Sequence, residues 1–137
     1  MPALAEAPVA RQLHVLVVED HPPLLEELVA HLREVGHTVT GLAAPLDIDR
    51  LMMTEPIELV VLDLNLPHED GLSVARRLRA ALPELGIIAL SGRIHSDQKA
   101  AAYADGVDIY LAKPASPDEL SAAIQSLARR LPARATH

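Results

Sequence analysis

Apolar and polar residues are distributed along this chain in two alternating patterns. Short segments dominated by apolar residues, Leu13–Val18, Glu58–Asp63, Gly86–Ser91 and Val107–Ala112, predict strands covered on both faces. Thr38–Leu42 is a shorter strand of the same kind. Between them, apolar residues recur at helical spacing. Pro22 or Pro23 can open the first helix, where a missing N–H does no harm. Leu25, Leu28, Val29 and Leu32 form its apolar stripe, and Gly36 is placed to close it. Pro45–Thr54 predicts a second helix with Leu46, Leu51 and Met52 as its apolar positions. A third begins at Asp70 or Gly71, turns Leu72, Ala75, Leu78 and Leu82 inward, and stops at Pro83. Ser96–Ala104 is the fourth, ended by Gly106. The last starts at Ser116, an N-cap with Glu119 three residues on, and presents Leu120, Ala123, Ile124 and Leu127 before Pro132 ends it.

Strict alternation of strand and helix predicts an α/β fold with a parallel sheet, right-handed crossovers and helices on both faces. The 137 residues suffice for one domain. We expect that domain over residues 12–131, with a flexible leader at 1–11 and a tail, or the start of a linker, at 132–137. No repeat, low-complexity block or internal linker interrupts it.

Composition narrows the chemistry. Half the residues are hydrophobic, but Tyr103 and Tyr110 are the only aromatics, so the core must be aliphatic. A formal charge of −7 argues against direct nucleic acid contact by this domain. Without cysteine there are no disulfides, thiolate metal sites or thiol nucleophiles. No apolar run is long enough to span a membrane, and residues 1–12 lack the apolar region of a signal peptide. We expect a soluble cytoplasmic protein. The seven histidines are scattered without metal-ligand spacing; His21 is a loop residue beside two acids. Met52 and Met53 read as core packing and helix surface. Arg129, Arg130 and Arg134 complement the dipole of the last helix.

The strand ends carry what remains. The first strand runs into Glu19-Asp20, the third ends in Asp63, the fourth in Ser91 and the fifth in Lys113-Pro114. In an open parallel sheet, ligands bind outside the carboxyl ends of the strands. Taken singly, each residue has a plainer reading: Glu19 and Asp20 as solvated loop acids, Asp63 as a turn cap, Ser91 as a helix cap, Lys113 as a surface cation. The fold brings them to one edge, where three acids would repel one another without a cation. That set suits a phosphoryl group and a divalent metal.

The ordered set Glu19-Asp20, Asp63 with Pro67 and Gly71, Ser91 and Lys113-Pro114 resembles the receiver domain of two-component response regulators, over about Leu13 to Arg130. The resemblance implies a flavodoxin-like, doubly wound (βα)5 fold with strand order 2-1-3-4-5, and bacterial origin. It implies that Asp63 accepts a phosphoryl group from a sensor histidine kinase, and that Glu19, Asp20 and Asp63 hold Mg²⁺ together with the backbone carbonyl of Asn65. Lys113 and Ser91 would contact the phosphoryl oxygens, and the Lys113–Pro114 bond would be cis. Gly71 would permit backbone that a side chain obstructs. Leu64, Asn65 and Arg93 would lie around the site mouth. Ser91 and Tyr110 would form the switch, the hydroxyl moving toward the phosphate and the aromatic turning inward behind it.

Receivers of winged-helix regulators commonly have phenylalanine where this chain has Ala115, and they often dimerise through the fourth helix, fifth strand and fifth helix. Lys99 and Glu119 match one ion pair of that interface; Ile109 and Ala123 replace both members of another. A homodimer through this face is expected. No effector follows Arg130, so the chain is read as the receiver part of a longer, transcriptional regulator, or else as a stand-alone receiver signalling by protein contacts. A degenerate receiver acting without phosphorylation usually lacks an acid or the lysine, and all are present. Haloacid-dehalogenase-like phosphatases need an acid two residues after the nucleophile; Asn65 stands there, so we expect a phosphoacceptor rather than a turnover enzyme. A flavodoxin-like flavin site is disfavoured by the acidic first loop.

Overall fold

A computed structural model describes residues 11–67, 69–92 and 96–132. The elements are β1 (His14–Val18), α1 (Pro22–Glu34), β2 (Thr38–Leu42), a 3₁₀ turn (Pro45–Asp47), α2 (Ile48–Thr54), β3 (Leu59–Asp63), α3 (Gly71–Ala81), β4 (Gly86–Ser91), α4 (Ser96–Ala104), β5 (Ile109–Ala112) and α5 (Pro117–Ala128). All strand pairings are parallel, in the order β2-β1-β3-β4-β5. This is the doubly wound order expected from the sequence.

The two-residue period of a strand splits the core into two layers. Leu16, Val18, Val60, Leu62, Ile87 and Ala89 face Ile48, Val74, Ala75, Leu78 and Ala102. Val15, Val17, Leu59, Val61, Ile88 and Leu90 face Leu28, Leu32, Leu120, Ile124 and Leu127. Burying each such Leu, Ile or Val contributes about 1.5–3 kcal/mol. Nearly every core residue is aliphatic; Tyr110 is the one aromatic in either layer.

Turn chemistry sets the boundaries. Asp70 caps α3 by accepting the Leu72 N–H at 3.2 Å, and Ser116 caps α5 by accepting the Glu119 N–H at 3.0 Å. Gly36 and Gly106 follow α1 and α4 with φ of 108° and 102°, a left-handed conformation that favours glycine. Four expectations are corrected. Pro45–Asp47 is a 3₁₀ turn rather than α-helix, so the helical register shifts: Leu46 is 86% exposed and Ile48 takes the core position. Leu82 lies past the end of α3 and is 37% exposed, while Val74 is buried in its place. Strand β5 starts at Ile109, two residues late, because Val107 still belongs to the turn. Arg11, assigned to the leader, is bound to the domain: Nη1 donates to Ala128 and Leu131 carbonyls, and Nη2 to Pro132 O and Glu58 Oε2. The rest of the leader, residues 1–10, and the tail residues 133–137 lie outside the described residues.

Candidate functional site

The carboxyl ends of β1, β3, β4 and β5 converge, and their terminal residues form one cluster. The register pairs Asp63 with Leu90 and Ser91 with Ala112, which sets the acid and the hydroxyl on adjacent strands. Glu19 and Asp63 are each 1% exposed and Ser91 is fully buried, whereas Asp20 opens to solvent. One carboxylate oxygen from each of Glu19, Asp20 and Asp63 lies within 4.8 Å of the others. Lys113 Nζ reaches into the cluster, 3.1 Å from Glu19 Oε1 and 3.2 Å from Asp63 Oδ2.

Backbone donors fix the acids. The Asn65 N–H donates to Asp63 Oδ1 at 2.9 Å, and the His21 N–H to Glu19 Oε2 at 3.2 Å. Asn65 Oδ1 in turn accepts the Gly92 N–H at 3.3 Å, joining the loops after β3 and β4. Gly71 lets the start of α3 close on this loop. A Cβ there would lie 2.5 Å from Leu64 Cα and 3.0 Å from the Asp63 carbonyl oxygen. Its φ is ordinary for any residue, so close approach, rather than special backbone, explains the glycine.

Burial, and then the nearby Asp63 carboxylate, hold the Glu19 carboxyl above its usual range. Burial opposes the charge of Lys113, but the nearby Glu19 and Asp63 carboxylates outweigh that and push its pKa up. Glu19 Oε1 is buried without a hydrogen-bond donor; the lysine ammonium beside it supplies charge but not bonding geometry. A buried carboxylate oxygen short of partners, within an all-oxygen donor set, fits a small hard cation.

Glu19, Asp20, Asp63, Asn65, Ser91 and Lys113 are thus gathered as expected, and the Lys113–Pro114 bond is cis. Tyr110 is 8% exposed and already points into the core layer that faces α3 and α4. Lys99 and Glu119 are exposed on α4 and at the start of α5. Leu64 is buried rather than at the site mouth, and Arg93 lies outside the described residues. Of the other histidines, His14 approaches Thr40 and Glu55, His31 meets Ser121, and His37 is buried against the Leu13 N–H. His68, His95 and His137 are not described. Gln98 and Tyr103, both contacting Tyr110, had no signal in the sequence, since nothing in the spacing of α4 reveals which strand residue it meets.

Residues 15–125 match the model of the response regulator receiver domain. The chain belongs to this family of two-component signal transduction proteins. Its relatives include transcriptional regulators. It is 32% identical over 118 residues to the TorCAD operon transcriptional regulatory protein TorR of Escherichia coli O157:H7, covering 86% of this chain and 51% of that protein. It is 36% identical over 122 residues to the transcriptional regulatory protein AruR of Pseudomonas aeruginosa, covering 85% and 50%. The chain therefore spans about half the length of the curated relatives it matches. A response regulator from Burkholderia pseudomallei, crystallised with a phosphorylated aspartic acid, a calcium ion and citrate, superposes with a TM-score of 0.78 at 29% identity, covering 87% of this chain and 70% of that one. Among the described residues no helix is long and apolar enough to cross a membrane.

Proposed function

We propose that Asp63 is the phosphoacceptor of this receiver and that its phosphorylation by a sensor histidine kinase is the event the domain transmits. The observation that carries this is the meeting of Asp63 with Glu19, Asp20 and Lys113 at one sheet edge. A carboxylate oxygen of Asp63 attacks phosphorus, the bond from phosphorus to the donor breaks, and an acyl phosphate forms with the donor imidazole leaving. Such transfer depends on positioning and charge neutralisation more than on covalent help. The Asn65 N–H holds the carboxylate in place, and Lys113 stands ready for a phosphoryl oxygen as a point charge. Ser91 supplies a hydroxyl beside the acceptor.

Glu19, Asp20, Asp63 and the Asn65 carbonyl would hold Mg²⁺, which supplies charge neutralisation between acceptor and phosphoryl oxygens when bound. The relative with a phosphorylated aspartate and a calcium ion supports both roles. With Asn65 rather than an acid two residues after Asp63, the domain is a phosphoacceptor rather than a turnover enzyme. Ser91 and Tyr110 are the switch pair, and residues 11–131 the receiver unit. The output we assign to the domain is transcriptional, as in the relatives TorR and AruR. Lys99 and Glu119 are candidates for a homodimer through α4, β5 and α5.

The test is intact-mass spectrometry after incubation with acetyl phosphate and Mg²⁺. One added phosphate, lost with EDTA and in Asp63→Asn, is expected. No adduct after rapid quenching, together with no binding of beryllofluoride, would reduce Asp63 to a structural residue.

A further inference from the structure

Helix α4 is held to the sheet by few atoms. Among its described side chains only Ala102 belongs to the core, and the helix is otherwise small or polar: Gln98, Lys99, Ala100, Ala101, Tyr103 and Ala104. Two of its hydrogen bonds to β5 meet on one residue of that strand, Tyr110. Successive residues of a strand point their N–H groups to opposite sides. The Lys113 N–H faces β4, where it donates to the Ser91 carbonyl at 2.8 Å. Tyr110, three residues earlier, therefore points its N–H the other way, to the open edge of the sheet that β5 forms. An edge N–H finds its partner outside the ladder or in water. Here the partner is the Tyr103 hydroxyl, at 3.3 Å. The Tyr110 hydroxyl meanwhile donates to Gln98 Oε1 at 3.5 Å. So α4 grips Tyr110 at two points, backbone and side-chain tip, from positions five residues apart in sequence. Both bonds exist with the ring inward and 8% exposed.

We propose that Tyr103 is a latch: its hydroxyl, seated on the Tyr110 N–H, holds α4 in the register that accompanies an inward Tyr110, and so couples the strand to the helix. The coupling part rests on the switch reading of Tyr110 given above; the latch itself does not. A residue with this task needs a long side chain ending in an acceptor, which phenylalanine or leucine lacks. Tyr103 is 45% exposed, so removing its hydroxyl empties no cavity in the core. It is a positioning residue and touches neither Asp63 nor the metal ligands.

Amide hydrogen exchange and beryllofluoride titration of the full chain and of Tyr103→Phe test this together. In the absence of any phosphoryl analogue, the Tyr110 amide should exchange about fivefold to tenfold faster in Tyr103→Phe, the worth of one net hydrogen bond. The Leu111 and Leu90 amides should not change, which checks that the variant is folded. Because a device favouring one of two states shifts a ligand equilibrium by its differential stabilisation, half-saturation with beryllofluoride and Mg²⁺ should need several-fold more in the variant. Unchanged exchange at Tyr110 would overturn the latch. Faster exchange with an unchanged titration would overturn the coupling. If the unmodified protein takes no beryllofluoride at all, the phosphoacceptor reading and the coupling fail together, and the exchange result alone decides the latch.

Discussion

The residues that do most at this site are those with no room to vary, and Gly71 shows why. The first turn of α3 lies against the loop that carries Asp63, so closely that a methyl group would sit 2.5 Å from Leu64 Cα and 2.9 Å from its carbonyl oxygen. Those are backbone atoms and cannot swing aside. Gly71→Ala should therefore destabilise the protein by about 1–3 kcal/mol, the usual range for overpacking, read as a lower urea midpoint at unchanged slope. It should also slow acetyl phosphate labelling, since the Asn65 N–H that fixes Asp63 sits in the displaced loop. A labelling rate unaltered by a clear loss of stability would separate the loop from the acceptor geometry. Gly71 was legible in the sequence as a constrained position, but the constraint itself was not: spacing cannot distinguish an unusual φ from a close approach. Asp63, Glu19 and Lys113 were legible for a different reason. Each ends an apolar segment, and a parallel sheet places all such ends on one edge.

Whole elements were legible where the polar and apolar pattern had a cap to anchor it. Ser116 and Asp70 fixed the starts of α5 and α3, and the α5 stripe is buried as its spacing required. The pattern failed after Pro45, where a 3₁₀ turn consumed three residues at a different pitch and left Leu46 outside. It was silent on Arg79, whose partners are mostly backbone carbonyls, which no pattern of side chains marks. From α3 its guanidinium donates to Gly106 O, Pro83 O and Leu85 O and pairs with Asp108 at 2.7 Å. Asp108 Oδ2 also accepts the Ile87 N–H at 2.8 Å, so one fork ties α3 to the starts of β4 and β5. Lysine cannot reproduce this, because an ammonium lacks the planar set of five donors. Arg79→Lys should cost about 1.5–3 kcal/mol, the scale of a lost charged hydrogen bond, measured by chemical denaturation. The phosphoacceptor edge lies at the opposite ends of these strands, so labelling of Asp63 in the folded variant should be unchanged.

For the molecule as a whole, the acidic site is a load that a cation or a proton can relieve, and the two must compete. Glu19 titrates above its ordinary 4.5 because it is buried and then because Asp63 is near. Between 4.5 and that raised value the folded protein holds a proton that the unfolded chain has released. The metal-free protein therefore gains stability from this group as pH falls through the window, and loses it as pH rises past the folded pKa. His37 works the other way. Burial lowers its pKa from 6.5, so the folded state resists the proton and stability is lost as pH falls below that value. The raw pH profile mixes the two groups. The difference between profiles with and without Mg²⁺ does not, because His37 accepts the Leu13 N–H at the start of β1, at the far end of the strand from the acids. At tenfold over its dissociation constant, a ligand of the folded state adds about 1.4 kcal/mol. Mg²⁺ should thus raise the melting temperature, and by progressively less as pH falls toward 4.5, where it must compete with the proton on Glu19. Glu19→Gln should flatten that pH dependence, whereas His37→Asn should leave it intact while changing the metal-free profile. An increment that does not shrink as pH falls in the unmodified protein would mean that Glu19 does not gate the cation.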